Sequence, residues 1–325
     1  MKILVIGLGS MGKRRLRLLK EYQKIQLIGV DSQEARVLDV NRKFGITCYS
    51  SIQEAVTSEH IDAVVISTSP LSHAAIIKEC LGYNLHVFTE INLTQDGYDE
   101  NVKLANKKGL VLFISSTFLY QEEIQIIMAK VKKAKCPLNY IYHVGQYLPD
   151  WHPWESYKNY FIGNPKTNGC REILTINLPW IISTFGSVKN VFAVKSKNTE
   201  LKIKYADNYL ITLEHENGNK GVFAVDVVSR NPYCHLDLYG EKLQLSWNGT
   251  SDSLFEYDIE NKKEVNIKMS ETSEHVEGYA EFVSENPYRE ELKAFIKQIS
   301  NNSFAPAWNF EKDKIILDLI DKIEA

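Results

Sequence analysis

Lys2-Ile-Leu-Val-Ile-Gly7-Leu-Gly9-Ser-Met-Gly12 sends an apolar run straight into a G-x-G-x-x-G loop. Three glycines at such spacing are weak on their own, so the context decides. A strand-like run precedes the loop and a helix-like stretch follows it. Asp31 ends the next apolar run, about 20 residues beyond the third glycine, where a dinucleotide fold places its acidic residue. Each position has a physical job. Gly7 permits the tight turn, Gly9 lets a diphosphate approach the backbone, and Gly12 lets helix and strand pack closely. Ser10 and Met11 begin the helix, whose amino-terminal N–H groups attract phosphate oxygens. The Asp31 carboxylate accepts hydrogen bonds from ribose hydroxyls and repels a 2′-phosphate, so NAD is expected over NADP. Lys13, Arg14, Arg15 and Arg36 keep NADP as the minority option.

Outward from this loop, short β-branched runs at 2–6, 25–31, 47–49, 63–67, 84–88 and 110–114 alternate with segments at 11–22, 33–44 and 71–81 that repeat apolar residues at helical spacing. Ser51-Ile-Gln-Glu54 has the form of a capping box. Strands that are apolar on both faces, alternating with helices, predict a doubly wound parallel sheet of six strands, a Rossmann domain over residues 1–120. From residue 121 to 325 the pattern changes. A helix at 122–133 precedes strands at 138–147, 189–197, 208–215, 220–229, 235–239 and 243–247, separated mostly by short turns. Glu216-Asn-Gly-Asn219 is suited to a hairpin, because Asn and Gly accept positive φ cheaply. One helix near 170–185 interrupts the series, and helices at 288–299 and 310–323 close the chain. The second domain is therefore expected to be α+β with a large, mostly antiparallel open sheet. Its terminal helices can pack back on the first domain, and a cleft is expected where the two domains meet.

Composition excludes several function classes. The 325 residues are 44% hydrophobic and 24% charged, the balance of a globular protein of about two domains. Lys plus Arg number 38 against 41 Asp plus Glu, a net charge of -3, so no basic field is present to hold nucleic acid. No apolar run approaches the roughly 20 residues of a membrane span. The initial run is too short for an export signal and leads into Lys13-Arg14-Arg15. Five cysteines, at 48, 80, 136, 170 and 234, lack Cys-x-x-Cys or zinc-ligand spacing. No metal site is expected; reduced thiols and a cytoplasmic location are.

The chain resembles the Gfo/Idh/MocA oxidoreductases, relatives of glucose-fructose oxidoreductase and inositol dehydrogenase, over nearly its whole length. The resemblance rests on the glycine loop, on Asp62-Ala-Val-Val-Ile-Ser-Thr-Ser-Pro70 followed by His73, on His86-Val-Phe-Thr-Glu90, on Glu216-Asn-Gly218 and on Tyr239-Gly-Glu-Lys242. It implies hydride exchange between a nicotinamide and a sugar, nucleotide-sugar or polyol hydroxyl carbon. It also implies that Ser67, Thr68, Ser69, Pro70 and His73 line the nicotinamide side of the cofactor, that Glu90 sits near its ribose, and that the second-domain sheet serves as a homo-oligomer interface.

The chain departs from the family at the acid/base groups. Where the family has Glu-Lys-Pro after the fifth strand, this chain has Glu90-Ile-Asn92, so the lysine beside the reacting hydroxyl is missing. In the helix that normally carries an Asp-x-x-x-His or His-x-x-Asp pair, Ile176 and Pro179 take the places of the polar residues. Alcohol oxidation needs a base for the hydroxyl proton, which Ile91 cannot be. The densest polar-aromatic stretch, Gln146-Tyr-Leu-Pro-Asp-Trp-His-Pro-Trp-Glu-Ser-Tyr157, offers a substitute. Rings that stack on sugar C–H faces beside groups that bond hydroxyls suit a sugar site. His152, an imidazole that can both give and take a proton, is the first candidate for acid/base, with Lys166 and Glu172 behind it. Asp150, Trp151, Trp154, Tyr157 and Arg171 are candidates for substrate binding. Packing alone also explains a histidine between prolines and tryptophans, and Arg171 with Glu172 can equally be a local ion pair. Leu148-Pro-Asp-Trp-His-Pro-Trp154 is similar to segments in family members of bacterial surface-sugar synthesis.

Two other functions stay open. One is a dinucleotide-binding sensor or scaffold without redox turnover. The other is non-redox sugar chemistry with tightly held NAD.

Overall fold

A computed structural model describes residues 1–152, 155–270, 274, 283–301 and 303–325. The chain divides into two compact units, one of Met1–Ser116 with Tyr288–Lys314 and one of Thr117–Pro287 with Ile315–Ala325.

The first unit alternates β1 (Lys2–Ile6), α1 (Ser10–Leu19), β2 (Gln26–Val30), α2 (Glu34–Phe44), β3 (Thr47–Tyr49), α3 (Ile52–Ser58), β4 (Ala63–Ile66), α4 (His73–Gly82), β5 (His86–Thr89), α5 (Tyr98–Lys108) and β6 (Leu112–Ile114). The strands run parallel in the order β3-β2-β1-β4-β5-β6. This order reverses direction between β1 and β4, and ligands of such sheets bind outside the carboxyl ends of the strands at that point. The central strands are apolar on both faces, and Ile3, Leu4, Val5 and Ala63–Ile66 are fully buried between helix layers. Ser51 caps α3 by accepting the Glu54 N–H through its hydroxyl at 3.2 Å. The Glu54 carboxylate reaches back to the N–H of Ser50 rather than that of Ser51, so the expected box is closed one residue early.

The second unit holds α6 (Glu122–Ala134), β7 (Asn139–Gly145), α7 (Gly169–Phe185), β8 (Val188–Ser196), β9 (Asn208–His215), β10 (Lys220–Asp226), β11 (Tyr233–Gly240), β12 (Leu243–Trp247), β13 (Phe255–Asp258) and β14 (Lys263–Asn266). They form one sheet ordered β14-β13-β12-β11-β7-β10-β9-β8, antiparallel except where β7 and β10 run together. Gly218 supplies the positive φ of the turn between β9 and β10. One face is core. Tyr140 stacks on Phe185 at 4.2 Å, and Tyr142 meets Phe223 and the edge of Trp180, so the apolar length of α7 is buried. The other face is open, with Phe192 67%, Leu210 58% and Val194 54% exposed. Strands β13 and β14 carry no apolar alternation, so periodicity could not announce them.

Two helices end the chain. Within the first unit, α8 (Asn286–Ser300) sets Phe295 against the stacked pair Phe88 and Phe113. The boundary between units falls inside α9 (Phe310–Glu324).

Candidate functional site

In the first unit the glycine loop joins β1 to α1. Gly7 has φ +89°, and a Cβ there would stand 2.7 Å from the Ser67 carbonyl oxygen. A Cβ on Gly12 would lie 1.8 Å from the Gly7 carbonyl oxygen, so only glycine lets the helix approach. A Cβ on Gly9 would meet only the Arg36 guanidinium, at 3.8 Å, an ordinary contact. Ser10 and Met11 begin α1, which has no side-chain cap and no acidic residue in its first turn, leaving its positive end to an anion.

Asp31 is 6% exposed at the end of β2. Its Oδ2 accepts the Leu8 N–H at 2.8 Å and its Oδ1 the Gln33 N–H at 2.8 Å, which ties the glycine loop to the neighbouring strand. Arg36 Nη1 stands 3.5 Å away, a loose contact that leaves lone pairs for ribose hydroxyls.

After β4, Ser67 continues the sheet by donating its N–H to Ile6, and its buried hydroxyl has no partner. Thr68 and Ser72 share a hydroxyl contact of 2.8 Å, Ser72 bonds the Ser69 carbonyl, and Pro70 starts the 3-10 turn that leads into α4. His73 is 1% exposed beneath this loop. Its Nε2 lies 3.0 Å from the Thr68 carbonyl and its Nδ1 2.8 Å from the Asn92 amide. Burial lowers its pKa and keeps the ring neutral, with one N–H to give. Both ring nitrogens face oxygen acceptors, Nε2 the Thr68 carbonyl and Nδ1 the Asn92 Oδ1, and the single N–H of the neutral ring serves one of them. His73 thus fastens the loop after β4 to the segment after β5.

Glu90 grips Arg15 with both oxygens, at 2.6 and 3.2 Å. The same guanidinium, wholly buried, meets Glu291 on α8 at 2.8 Å and lies over the Phe88 ring. Glu291 also accepts the Ser116 N–H and the Ser115 hydroxyl. Burial raises the Glu291 carboxyl while Arg15 holds it down. Glu90 is therefore part of a charge cluster whose third member lies far along the chain, where no short-range sequence signal could find it. The glycine loop, the uncapped helix, the Asp31 carboxylate and the unsatisfied Ser67 hydroxyl together fit a dinucleotide.

In the second unit, the segment after β7 is tied down by Tyr147 and Leu148, whose N–H groups donate to Ser229 and Val227. Trp151 donates its indole N–H to Gln146, and the Tyr157 hydroxyl accepts the Lys202 N–H. Both are engaged in holding loops. Asp150 and Lys166 are exposed, and Trp154 lies outside the described residues. His152 contacts Glu155 through Nδ1 at 3.1 Å, and its ring stacks on Tyr160 at 4.7 Å.

Arg171 and Glu172 occupy the first turn of α7, which Asn168 caps through the Arg171 N–H. They do not pair. Arg171 is buried against Asp321, at 2.7 Å, and Glu324 on α9. The Glu172 carboxyl accepts no hydrogen bond among the described residues, and burial pushes its pKa up to about 8. Its charge bears on the phenols of Tyr160 and Tyr205, both raised chiefly by burial. The structure therefore gathers His152, Glu155, Tyr160 and Glu172, and leaves Asp150 and Lys166 in solvent. Tyr160 went unnoticed in sequence, although following the aromatic run beyond Tyr157 would have reached it. Among the described residues no cluster of His, Cys, Asp or Glu could hold a metal, and no helix is long and apolar enough to cross a membrane.

Fold and loop define an NAD(P)-binding oxidoreductase of the α/β class. Residues 1–116 match the family described as "Oxidoreductase family, NAD-binding Rossmann fold" (GFO_IDH_MocA). Over those residues the chain is similar to the Gfo/Idh/MocA oxidoreductases. It is 23% identical to myo-inositol 2-dehydrogenase of Thermotoga maritima over 98% of this chain and 93% of that protein. The fold is shared with UDP-N-acetylglucosamine 3-dehydrogenase GnnA from Acidithiobacillus ferrooxidans, at a TM-score of 0.79 and 15% identity over 100% of this chain and 96% of that one. It is shared also with the WlbA dehydrogenase from Bordetella pertussis in complex with NADH and UDP-GlcNAcA, at a TM-score of 0.76 and 14% identity over 99% and 95%.

Proposed function

We propose that this protein is an NAD-dependent oxidoreductase that exchanges hydride with a sugar or nucleotide-sugar hydroxyl carbon, with Glu172 as its proton acceptor and donor. The observation that carries the reading is the Glu172 carboxyl, half-exposed in the first turn of α7, with no hydrogen bond or ion pair among the described residues and its pKa pushed up by burial to about 8. A general acid/base works best when its pKa lies close to the operating pH. Glu172 can thus do the proton transfer that Ile91 cannot. A bound nicotinamide supplies the hydride acceptor or donor. The chain's own part is to hold the diphosphate at Gly7–Gly12, to take the ribose at Asp31, and to move the hydroxyl proton at Glu172. His152 is the second choice, because its Nδ1 is occupied by Glu155. Lys166 is the third, because it stands in solvent.

Support for the substrate class comes from relatives named for inositol and UDP-N-acetylglucosamine. A place in bacterial surface-sugar synthesis goes with a nucleotide-sugar substrate. The charge of Asp31 favours NAD over NADP. The five free thiols suit a reducing compartment such as the cytoplasm. The open face of the second sheet, with Phe192, Val194 and Leu210 exposed, suits a second copy of the chain as partner.

The test is turnover. Full-length protein, NAD or NADP, and a panel of UDP-sugars with myo-inositol should give absorbance of reduced nicotinamide for at least one substrate, and Glu172→Gln should abolish it. Nucleotide binding with no absorbance change and no product by NMR would replace this reading with the sensor. Product formed at constant absorbance would replace it with internal hydride return.

A further inference from the structure

The carboxyl ends of β7 and β10 are built around Asp226. The two strands run parallel and set Asp226 opposite Gly145, where any Cβ would collide with the carboxylate, so glycine makes room for it. That carboxylate accepts the Val228 and Ser229 N–H groups at 2.8 and 2.7 Å, the Ser229 hydroxyl at 2.9 Å and His143 Nε2 at 2.6 Å. Burial pushes its pKa up, but these bonds together hold it below the ordinary value, so it is ionised and fixes the turn. The turn is laced to the segment after β7, because Tyr147 donates its N–H to Ser229 at 2.7 Å and Leu148 to Val227 at 3.0 Å. Arg230 comes next. Its guanidinium carbon lies 3.7 Å from the centroid of the Tyr147 ring. Of the second unit's two arginines, Arg171 meets Asp321 and Glu324, whereas the exposed Arg230 meets no carboxylate among the described residues. The acids nearest to it in sequence are engaged elsewhere, Asp226 in the turn and Asp237 on His235.

We propose that Arg230, seated on Tyr147, binds an anionic group of the substrate, a phosphate or a carboxylate, and so selects charged sugars over neutral ones. The proposal rests on the sugar oxidoreductase reading and names the part of that substrate class the site takes. A guanidinium with no acid partner offers a fork of N–H donors that matches two oxygens of either anion. Stacking on the phenol ring holds the guanidinium plane in place, so less side-chain freedom is lost when the anion arrives. The turn beneath is already fixed by Asp226. A neutral hydroxyl gains little there, because water serves the same donors equally well.

Calorimetric titration of the full chain saturated with NADH tests this. The probes are UDP-N-acetylglucosamine with N-acetylglucosamine for the phosphate, and glucuronate with myo-inositol for the carboxylate. Arg230→Gln should weaken the charged member of at least one pair by about tenfold or more, and leave the neutral member and NADH unchanged. The pair that responds names the anion. Tyr147→Leu should weaken the same ligand by only about two- to fivefold, since the charge stays and its support is lost. Because Arg230 is exposed, its replacement reads binding and not folding. Full affinity for both charged sugars in Arg230→Gln, or an equal loss for charged and neutral sugars, overturns the proposal. A loss of NADH affinity overturns it too, by giving the arginine to the cofactor. Each of these leaves the oxidoreductase reading standing. NADH binding by the parent with no affinity for any of the four sugars overturns the sugar reading itself.

Discussion

Arg171 forms its ion pair with Glu324, 153 residues away, and not with Glu172 beside it. The guanidinium also takes Asp321, while Glu324 accepts from Asn168 and Tyr209 through its carboxylate and from Lys195 through its carbonyl. The end of α9 is thus a hub for the start of α7. Arg171 is engaged on α9, and burial is the influence that raises the Glu172 carboxyl.

Glu324→Ala should release Arg171 from its principal restraint. Asp321 remains as a partner, so the stability loss should be about 1–3 kcal/mol, below the cost of stranding a buried charge. A freed guanidinium would also lower the pKa of Glu172. Denaturant unfolding reads the first effect and a pH–rate profile the second; a profile that does not move would disconnect the hub from the carboxyl.

The pH dependence of turnover follows from Glu172. Alcohol oxidation requires the carboxylate, so its rate should climb as pH rises through about 8, and carbonyl reduction, which requires the acid, should decline over the same interval. Glu172→Gln should remove this dependence and cost about 10²–10⁴-fold in kcat. An unchanged limb in that variant would assign the ionisation to another group.

Cofactor choice is a separable matter. Asp31→Asn keeps an acceptor for the Leu8 N–H and removes the charge that repels a 2′-phosphate. Affinity for NADPH relative to NADH should rise at least about tenfold, helped by Arg36. Fluorescence titration with the two reduced nucleotides would show it, and an unaltered ratio would deny Asp31 its discriminating role.

Much of this was legible in sequence because local rules governed it. Strands β1 and β9 fall on their expected residues, since apolar runs and a glycine turn specify them without distant help. The glycine loop and Asp31 were readable for the same reason. What escaped reading depended on distant contacts. The partners of Glu90 and Arg171, namely Arg15 with Glu291 and the end of α9, lie too far along the chain for any local pattern to name them. The edge strands β13 and β14 have polar sequences whose pairing depends on the neighbouring β12.

The exposed face of the second sheet gives an assembly prediction. Val194 and Leu210 are paired across β8 and β9, with Phe192 beside them on the same face. Phe192→Glu combined with Leu210→Glu should turn an oligomer into a monomer by light scattering, with the melting temperature of the isolated chain little changed, because neither side chain contributes to the core. An identical molar mass for variant and parent would remove this face from the interface.

Asp313 supplies a stability prediction with a defined sign. Its carboxyl is 2% exposed at the start of α9 and receives the Trp308 indole N–H at 3.0 Å and the Tyr98 hydroxyl at 2.5 Å. Burial nevertheless outweighs both bonds and raises its pKa from 3.8 to about 6. The folded state therefore binds a proton more tightly than the unfolded chain, so this group's contribution is fully present below about pH 4 and is lost as pH rises to about 6. The difference amounts to about 3 kcal/mol. Asp313→Asn keeps a neutral amide in place of the acid and removes the titration. Its stability relative to the parent should improve by that order between mildly acidic and neutral pH, measured by denaturant unfolding at each pH. A parent-to-variant difference independent of pH would mean that the two bonds hold Asp313 ionised throughout.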